Sequence, residues 1–393
     1  MNGDASVWKN VCKRSPRNTA KFSPLKQRKR RRVTLRSELG NVSLVVDYGQ
    51  EPKTGRWCSP LRRVWGLGPH EKLTPAFAEK LCFTVTATGS YEEAAQVASK
   101  WGLSVDDATL HALTQRVGAR AEEKAQAQYE QAPKERLPQE AASALGVLMV
   151  DGCQVRYRGE GWGKNKSPKE HVEWHELKLG VFYRHEQAAR TEGGRGMLTG
   201  KVVVSCQNEA AELGRRLHWE AQREGLGRAK AMLFLGDGAA WVWNLKKDRW
   251  NEAAGVLDFY HASEHVWDLG RAVRGEKQPA LTAWVEPMLH QLRHGKEKQA
   301  LERMAGLKKR AGEAGETIRR EQNYFTTHAS RMNYQEIADK GWPIGSGAVE
   351  SACRQKQCRY KRCGQFWTKT GLRNLSALDA ARHNRHWDAL WQN

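Results

Sequence analysis

Two apolar runs break off in the same way. "ALGVLMVDG" ends in Asp151-Gly152, and "KAMLFLGDG" ends in Asp237-Gly238. Each run is too short and too uniformly apolar for a half-exposed helix face, so each predicts a buried strand. A strand buried on both faces belongs inside a sheet with helices on either side. If the two strands lie side by side, both carboxylates project from one edge, where α/β folds place their sites. The plain alternative is that Asp-Gly only makes a turn. For one such acid the turn is the stronger reading, and the pair on equivalent strands reverses it.

The segments around these runs fit the same architecture. "HELKLGVFY" and "GKVVVSC" predict two more strands, "NEAAELGRRLHWEAQREG" an amphipathic helix, and "AAGVLDFYH" a fifth strand leading into a "HASEHVWDLG" helix. That order predicts a mixed α/β sheet flanked by helices. The expected organisation has six parts. Residues 1–40 form a basic, disordered arm. Residues 41–120 form an N-terminal DNA-binding region. A linker follows at 121–145, polar, helical at first and broken by Pro133 and Pro138. The first part of a catalytic core spans 146–277, a charged helical insertion 278–334, and the last part of the core 335–393.

Within the N-terminal part, "NVSLVVDY" and "GRWCSPLRRVWGL" predict short strands around a turn. Residues 90–118 predict two helices, the first opened by Ser90 with Glu93 as a capping box and ended by Gly102. A helix-turn-helix and an ordinary helical hairpin fit equally well. Asp106 and Asp107 at the start of the second helix weaken the base-reading version, because they repel phosphates.

Charge narrows the function. There are 65 Lys and Arg against 44 Asp and Glu, a formal net charge of +21. That excess is ordinary for a protein that neutralises phosphates. Lys13 to Arg36 holds eleven cations and no acid, and predicts a mobile arm without a core of its own. No apolar run approaches membrane-spanning length and no signal peptide opens the chain, so a cytoplasmic protein without a membrane partner is expected. The eight cysteines include no C-x-x-C pair, which argues against a zinc ribbon.

Asp151 and Asp237 at one sheet edge are hard oxygen ligands, suited to Mg²⁺ or Mn²⁺. Two such ions clamp the attacking and leaving oxygens of a phosphodiester exchange. The third acid is Glu350, on a helix that Ser346 is placed to cap. Glu350, Arg354, Gln357 and Lys361 share one face of that helix, a carboxylate followed by cations. Between Ser351 and Leu378 there are seven Lys or Arg and no acid. Arg354, Lys356, Arg359, Lys361 and Arg362 are therefore the candidate DNA contacts. Trp367 is either a stacking platform for an unpaired base or a core residue packing the last helix.

A competing motif is His261-Ala-Ser-Glu264-His265, which spells the H-x-x-E-H of some zinc peptidases. That chemistry calls for a further distant acid and an apolar cleft, and it leaves the +21 charge without a purpose.

The C-terminal stretch "GWPIGSGAVESACRQKQCRYKRCGQFW" closely resembles the signature of DDE-type insertion-sequence transposases, in particular the bacterial Kra insertion-sequence family, distantly akin to the Mutator-like transposases. "LFLGDGAAWVWN" resembles that family's second-acid motif, "VLDFYHASEHVWDLG" the block after it, and "VLMVDG" its first-acid motif. "NYFTTHASRMNYQEIADKGWPIGSG" is also similar. The resemblance runs from about Ser90 to Trp391. It implies a ribonuclease H-like core with a helical insertion, and a triad of Asp151, Asp237 and Glu350 holding two Mg²⁺ or Mn²⁺ ions. It implies Asp258 and His261 as supporting residues, with His261 hydrogen-bonding a ligand or meeting the scissile phosphate. The partners it implies are double-stranded DNA, both transposon ends and target, and further copies of the chain, in a bacterial nucleoid setting. A retired transposase that binds DNA without cutting is the alternative. The chain departs from many members in lacking a cysteine-rich zinc segment near its N-terminus, since Cys58 has no close partner in the sequence.

Overall fold

A computed structural model describes residues 25–65, 67, 71–102, 104–131, 144–163, 171–194, 196–207, 209–226, 229–277, 279–308 and 310–392. Strands β1 (Lys26–Ser37) and β2 (Gly40–Gln50) form an antiparallel hairpin in which Ser37 pairs with Gly40, and β3 (Trp57–Cys58) adds to β2. Gly40 takes a φ of 104°, which its missing Cβ permits. This corrects the expectation of a disordered arm over 1–40: Lys26 to Ser37 is a strand, while residues 1–24 lie outside the described set. The physical reason is that cations need water, not irregularity. In a ribbon wet on both faces, Lys26 to Arg32 stay exposed while their backbone pairs. Leu35 and Val46 supply the buried anchor, and Arg28 pairs with Asp47 at 2.7 Å.

Four helices follow: α1 (Pro60–Val64), α2 (Pro75–Ala87), α3 (Tyr91–Lys100) and α4 (Asp107–Gln131). Ser90 caps α3 by accepting from Glu93 N, while Glu93 accepts from Gly89 N, one residue before the cap, so only the first half of the expected capping box forms. Helix α4 is long for either reading of residues 90–118. Its 25 residues run far beyond a recognition helix and pack along a C-terminal helix, where a Cβ on Gly118 would come within 2.2 Å of Asn374 O. The Asn374 side chain donates to Gln115 O at 3.1 Å. The N-terminal helices therefore share one continuous core with the rest, from Leu73 to Leu390. Part of the expected linker, up to Gln131, belongs to α4; residues 132–143, with both prolines, lie outside the described set.

The central sheet has five strands: β4 (Leu145–Arg158), β5 (Val172–Arg184), β8 (Val202–Cys206), β9 (Ala231–Gly236) and β10 (Ala254–Leu257). A small hairpin, β6 (Ala188–Arg190) with β7 (Gly196–Leu198), stands apart. The sheet order is β10-β9-β4-β5-β8. The first three strands in sequence are antiparallel neighbours, and β9 and β10 are added parallel to β4. Parallel neighbours need crossovers. Helices α5 (Ala210–Arg223) and α6 (Ala240–Arg249) supply them.

Gly180 and Gly236 both pair with Val150, so the three share a row and a face. A Cβ on Gly180 would strike Leu217 of α5, and one on Gly236 would strike Val242 of α6. These glycines let the two helices lie close on that face. Helix α7 (Phe259–Arg274) follows β10, and α8 (Ala280–Arg293), α9 (Glu297–Ala305) and α10 (Gly312–His328) occupy the stretch read as an insertion. Then come α11 (Tyr334–Asp339), α12 (Gly347–Tyr360), α13 (Lys369–His383) and α14 (Trp387–Trp391), with α12 packed on β4 and β5 and α13 on α4 and β8. Among the described residues no helix is long and apolar enough to cross a membrane.

Candidate active site

Register brings the two aspartates together. The parallel β4–β9 ladder ends with Val150 opposite Gly236, so Asp151 and Asp237 are the next residues on adjacent chains, about 5 Å apart at that spacing. One expectation needs adjusting: β4 does not stop at Asp151 but continues to Arg158, paired with β5. What stops at Asp151 is its partner on the other side.

The Asp151 carboxyl is pushed above the usual range, by burial first and by the Asp237 charge in addition. Gly152 N, the Cys353 thiol and His261 pull the other way. Gly152 N donates to Asp151 Oδ1 at 2.6 Å, and Ala239 N donates to Asp237 Oδ1 at 3.0 Å. Cys353 lies on α12, so Asp151 faces the helix that carries Glu350, on the sheet face opposite α5 and α6.

Asp258 fixes that helix. It is 1% exposed and joins three elements. Its own N–H donates to Gly236 O at the end of β9 (2.9 Å), Oδ1 caps α7 by accepting from His261 N (2.8 Å), and Oδ2 accepts from Ser346 N. Ser346 occupies the N-cap position of α12, but its hydroxyl makes no capping bond, contrary to expectation. The anchor is its backbone N–H on Asp258. A residue that the resemblance names only as supporting thus ties the Asp237 turn to the start of the Glu350 helix.

Glu350 itself is half exposed, and its carboxylate accepts from Arg354 one turn on. Among the described residues no three His, Cys, Asp or Glu side chains form a metal-holding cluster. The donors nevertheless fit a hard cation in part. Two adjoining carboxylates, one of them raised by burial and like charge, gain from a divalent ion between them.

The competing motif resolves differently. His265 Nδ1 lies 2.5 Å from the fully buried Glu321, and its ring stacks on Tyr324 at 3.6 Å. Glu264 is exposed, 3.6 Å from His261. His265 thus spends its Nδ1 on Glu321 and keeps its Nε2, and among the described residues no third His, Cys, Asp or Glu joins the two histidines in a metal-holding cluster. Tyr324 had no signal in the sequence. It comes from α10, and its ring occupies the space of a Cβ at Gly238, 2.2 Å away. Burial, with Asp237 and Glu321 next, pushes its phenol up. The Gly after Asp237 is thus required by packing and not only by a turn.

Three candidate DNA contacts are corrected. Lys356 is 5% exposed and holds Asp379; Arg359 is buried and donates to Gly89 O at 2.9 Å. Both lie on the packed side of α12, Lys356 toward Asp379 of α13 and Arg359 toward Gly89, roughly half a turn round the helix from Glu350 and Arg354. Trp367 is 8% exposed, and its indole donates to Tyr360 O at 2.8 Å. Its backbone continues the sheet where β9 leaves off, accepting from Arg158 N and donating to Arg156 O. It is the packing residue of the two readings. Arg354, Lys361 and Arg362 are exposed, with Arg362 also paired to Glu93.

No protein-family model matches the chain. It is 24% identical over 349 residues to the UPF0236 protein in the vanSb 3'region of Streptococcus gallolyticus, a match covering 85% of this chain and 69% of that protein. Among solved structures, 80% of the chain aligns with 79% of a chain of the Drosophila P element transposase strand transfer complex, at 10% identity and a TM-score of 0.24. A likeness at that score carries no argument about fold or activity.

Proposed function

We propose that this chain is a DDE-type DNA transposase with a ribonuclease H-like core, cleaving and joining DNA strands through Asp151, Asp237 and Glu350. The observation that carries the reading is the β4–β9 register: two carboxylates adjoin at the end of a parallel ladder, beside the helix that bears the third acid. The strand order, three antiparallel strands with two parallel ones added on the side of the first, supports the ribonuclease H-like assignment. The motif resemblance supports the insertion-sequence family.

In this reading Asp151 and Asp237 are the fixed ligands, and Glu350 completes the set on release from Arg354. Two Mg²⁺ or Mn²⁺ ions held there would activate the attacking oxygen and stabilise the leaving one. Asp258 positions α12, so its contribution is geometric. Arg354, once free of Glu350, with Lys361 and Arg362, meets backbone phosphates. Transposon ends and target DNA are the partners, and paired ends call for more than one copy of the chain.

The test is Mg²⁺-dependent nicking of DNA bearing the element's own terminal repeats. Asp151→Asn, Asp237→Asn and Glu350→Gln each abolish nicking and leave DNA affinity nearly unchanged; Glu264→Gln does little. Nicking by a folded Asp151→Asn variant at the parent rate would refute the assignment. Binding to the ends without nicking by the parent protein would favour the DNA-binding regulator.

A further inference from the structure

Beyond Asp151, β4 carries a second feature, on its other face. Arg156 stands directly opposite Trp174 of β5, with its guanidinium 5.9 Å from that ring and 5.0 Å from the ring of Phe366. Lys361 Nζ lies 5.1 Å from Trp174 on its own account. Phe366 packs against Trp162 at 4.8 Å, and Arg158 lies 5.8 Å from Trp162. Aromatic rings and cations thus alternate across the surface, from Trp174 to Trp162.

Three observations say this is a ligand surface and not a packed core. Trp174 is 53% exposed and has cations on two sides, Arg156 and Lys361. Arg156 is held in place by donating to the carbonyls of Lys361 and Arg362, so its plane is set before anything binds. Glu176, the acid on this face of β5, is neutralised by Lys178 at 2.7 Å. An apolar protein partner would strip water from Arg158 and Lys361 without replacing it. A polyanion with flat faces replaces it with phosphate and stacks on the rings.

We infer that this ladder binds an unpaired DNA strand, with a base stacked on Trp174 and its phosphates on Arg158 and Lys361. Paired bases have both faces covered in the duplex, so stacking selects the single strand. Arg156 lies about 17 Å along β4 from Asp151, at about 3.3 Å per residue, on the opposite face of the strand. The inference rests on the transposase reading, in which cleavage frees a strand end beside Asp151.

The experiment measures binding of a fluorescein-labelled oligo(dT) and of a blunt duplex of equal length by anisotropy, with EDTA present so that no cleavage intervenes. Trp174→Leu weakens oligo(dT) binding by about fivefold to a hundredfold, the range for loss of one stacked base, and leaves the duplex within about twofold. Trp174→Phe, which keeps a ring, stays within about threefold of the parent for both ligands. Equal losses for strand and duplex, or no loss with oligo(dT), would overturn the inference. Failure of the transposase reading shows in the nicking assay instead, where Asp151→Asn decides and Trp174 is not at issue.

Discussion

Removing the Asp258 carboxylate tests the joint between the sheet and the Glu350 helix. In Asp258→Ala, α7 loses its N-cap, which costs about 0.5–2 kcal/mol. Ser346 N–H is left buried without its anionic acceptor, which costs about 1–3 kcal/mol more. Together the loss is about 1.5–5 kcal/mol, large for one residue. Asp258→Asn separates the two parts. Its amide oxygen still accepts from His261 N, but its NH₂ meets Ser346 N–H donor to donor, so only the second cost applies. Urea unfolding followed by circular dichroism should rank parent above Asn and Asn above Ala. Nicking should fall in the same order, because the start of α12 sets where Glu350 stands. An Ala variant within about 0.5 kcal/mol of the parent, or an Asn variant less stable than Ala, would refute the account of Asp258 as the shared anchor.

Breaking the buried Lys356–Asp379 pair with Lys356→Met costs about 3 kcal/mol in the same unfolding assay, since Asp379 loses its buried cation and keeps the more exposed Arg382 and His383 and a long bond from the Tyr360 hydroxyl; a DNA affinity loss without a stability loss would restore Lys356 as a contact. Glu220 is pushed up to about 6 from 4.5 by burial, against the pull of Arg223. Its folded form therefore holds its proton more tightly than the unfolded chain, and its favourable contribution is complete below pH 4.5 and lost as pH rises through about 6. Glu220→Gln should gain about 1–2 kcal/mol at pH 8 and nothing near pH 4, and a destabilised variant at pH 8 would refute the sign. Gly238→Ala should cost about 1–3 kcal/mol by forcing Tyr324 aside, and thermal melts of the Tyr324→Ala background should show that cost vanish.

The centre of the sheet was legible because β4 and β9 hold apolar runs that lead into Asp-Gly, and burial on both faces leaves such runs few other places to go. The pairing of Asp151 with Asp237 followed from the same pattern. Polar partners across long sequence distances were not legible. Glu321 meets His265 from 56 residues away and Ser346 meets Asp258 from 88, and nothing in the local sequence of either pair announces the other. The hairpin of Lys26 to Ser37 was hidden by its charge, because composition reports what a segment can bury and is silent on whether its backbone can pair in water.

The basic C-terminal run misled in an instructive way. Seven cations without an acid between Ser351 and Leu378 read as one phosphate-binding surface. Helical phase divides them. Arg354 and Lys361 follow Glu350 on the outer face, whereas Lys356 and Arg359 point inward to Asp379 and Gly89. The acid that balances Lys356 is Asp379, one residue past the acid-free stretch, so the absence of acids within the run carried no information about burial. Charge density alone therefore locates a cation-rich segment, and only phase against the packed face selects which of its cations face water. By that criterion Arg156 and Arg158, which lie outside the run on β4 beside exposed rings, are better candidates for strand contact than half of the cations inside it.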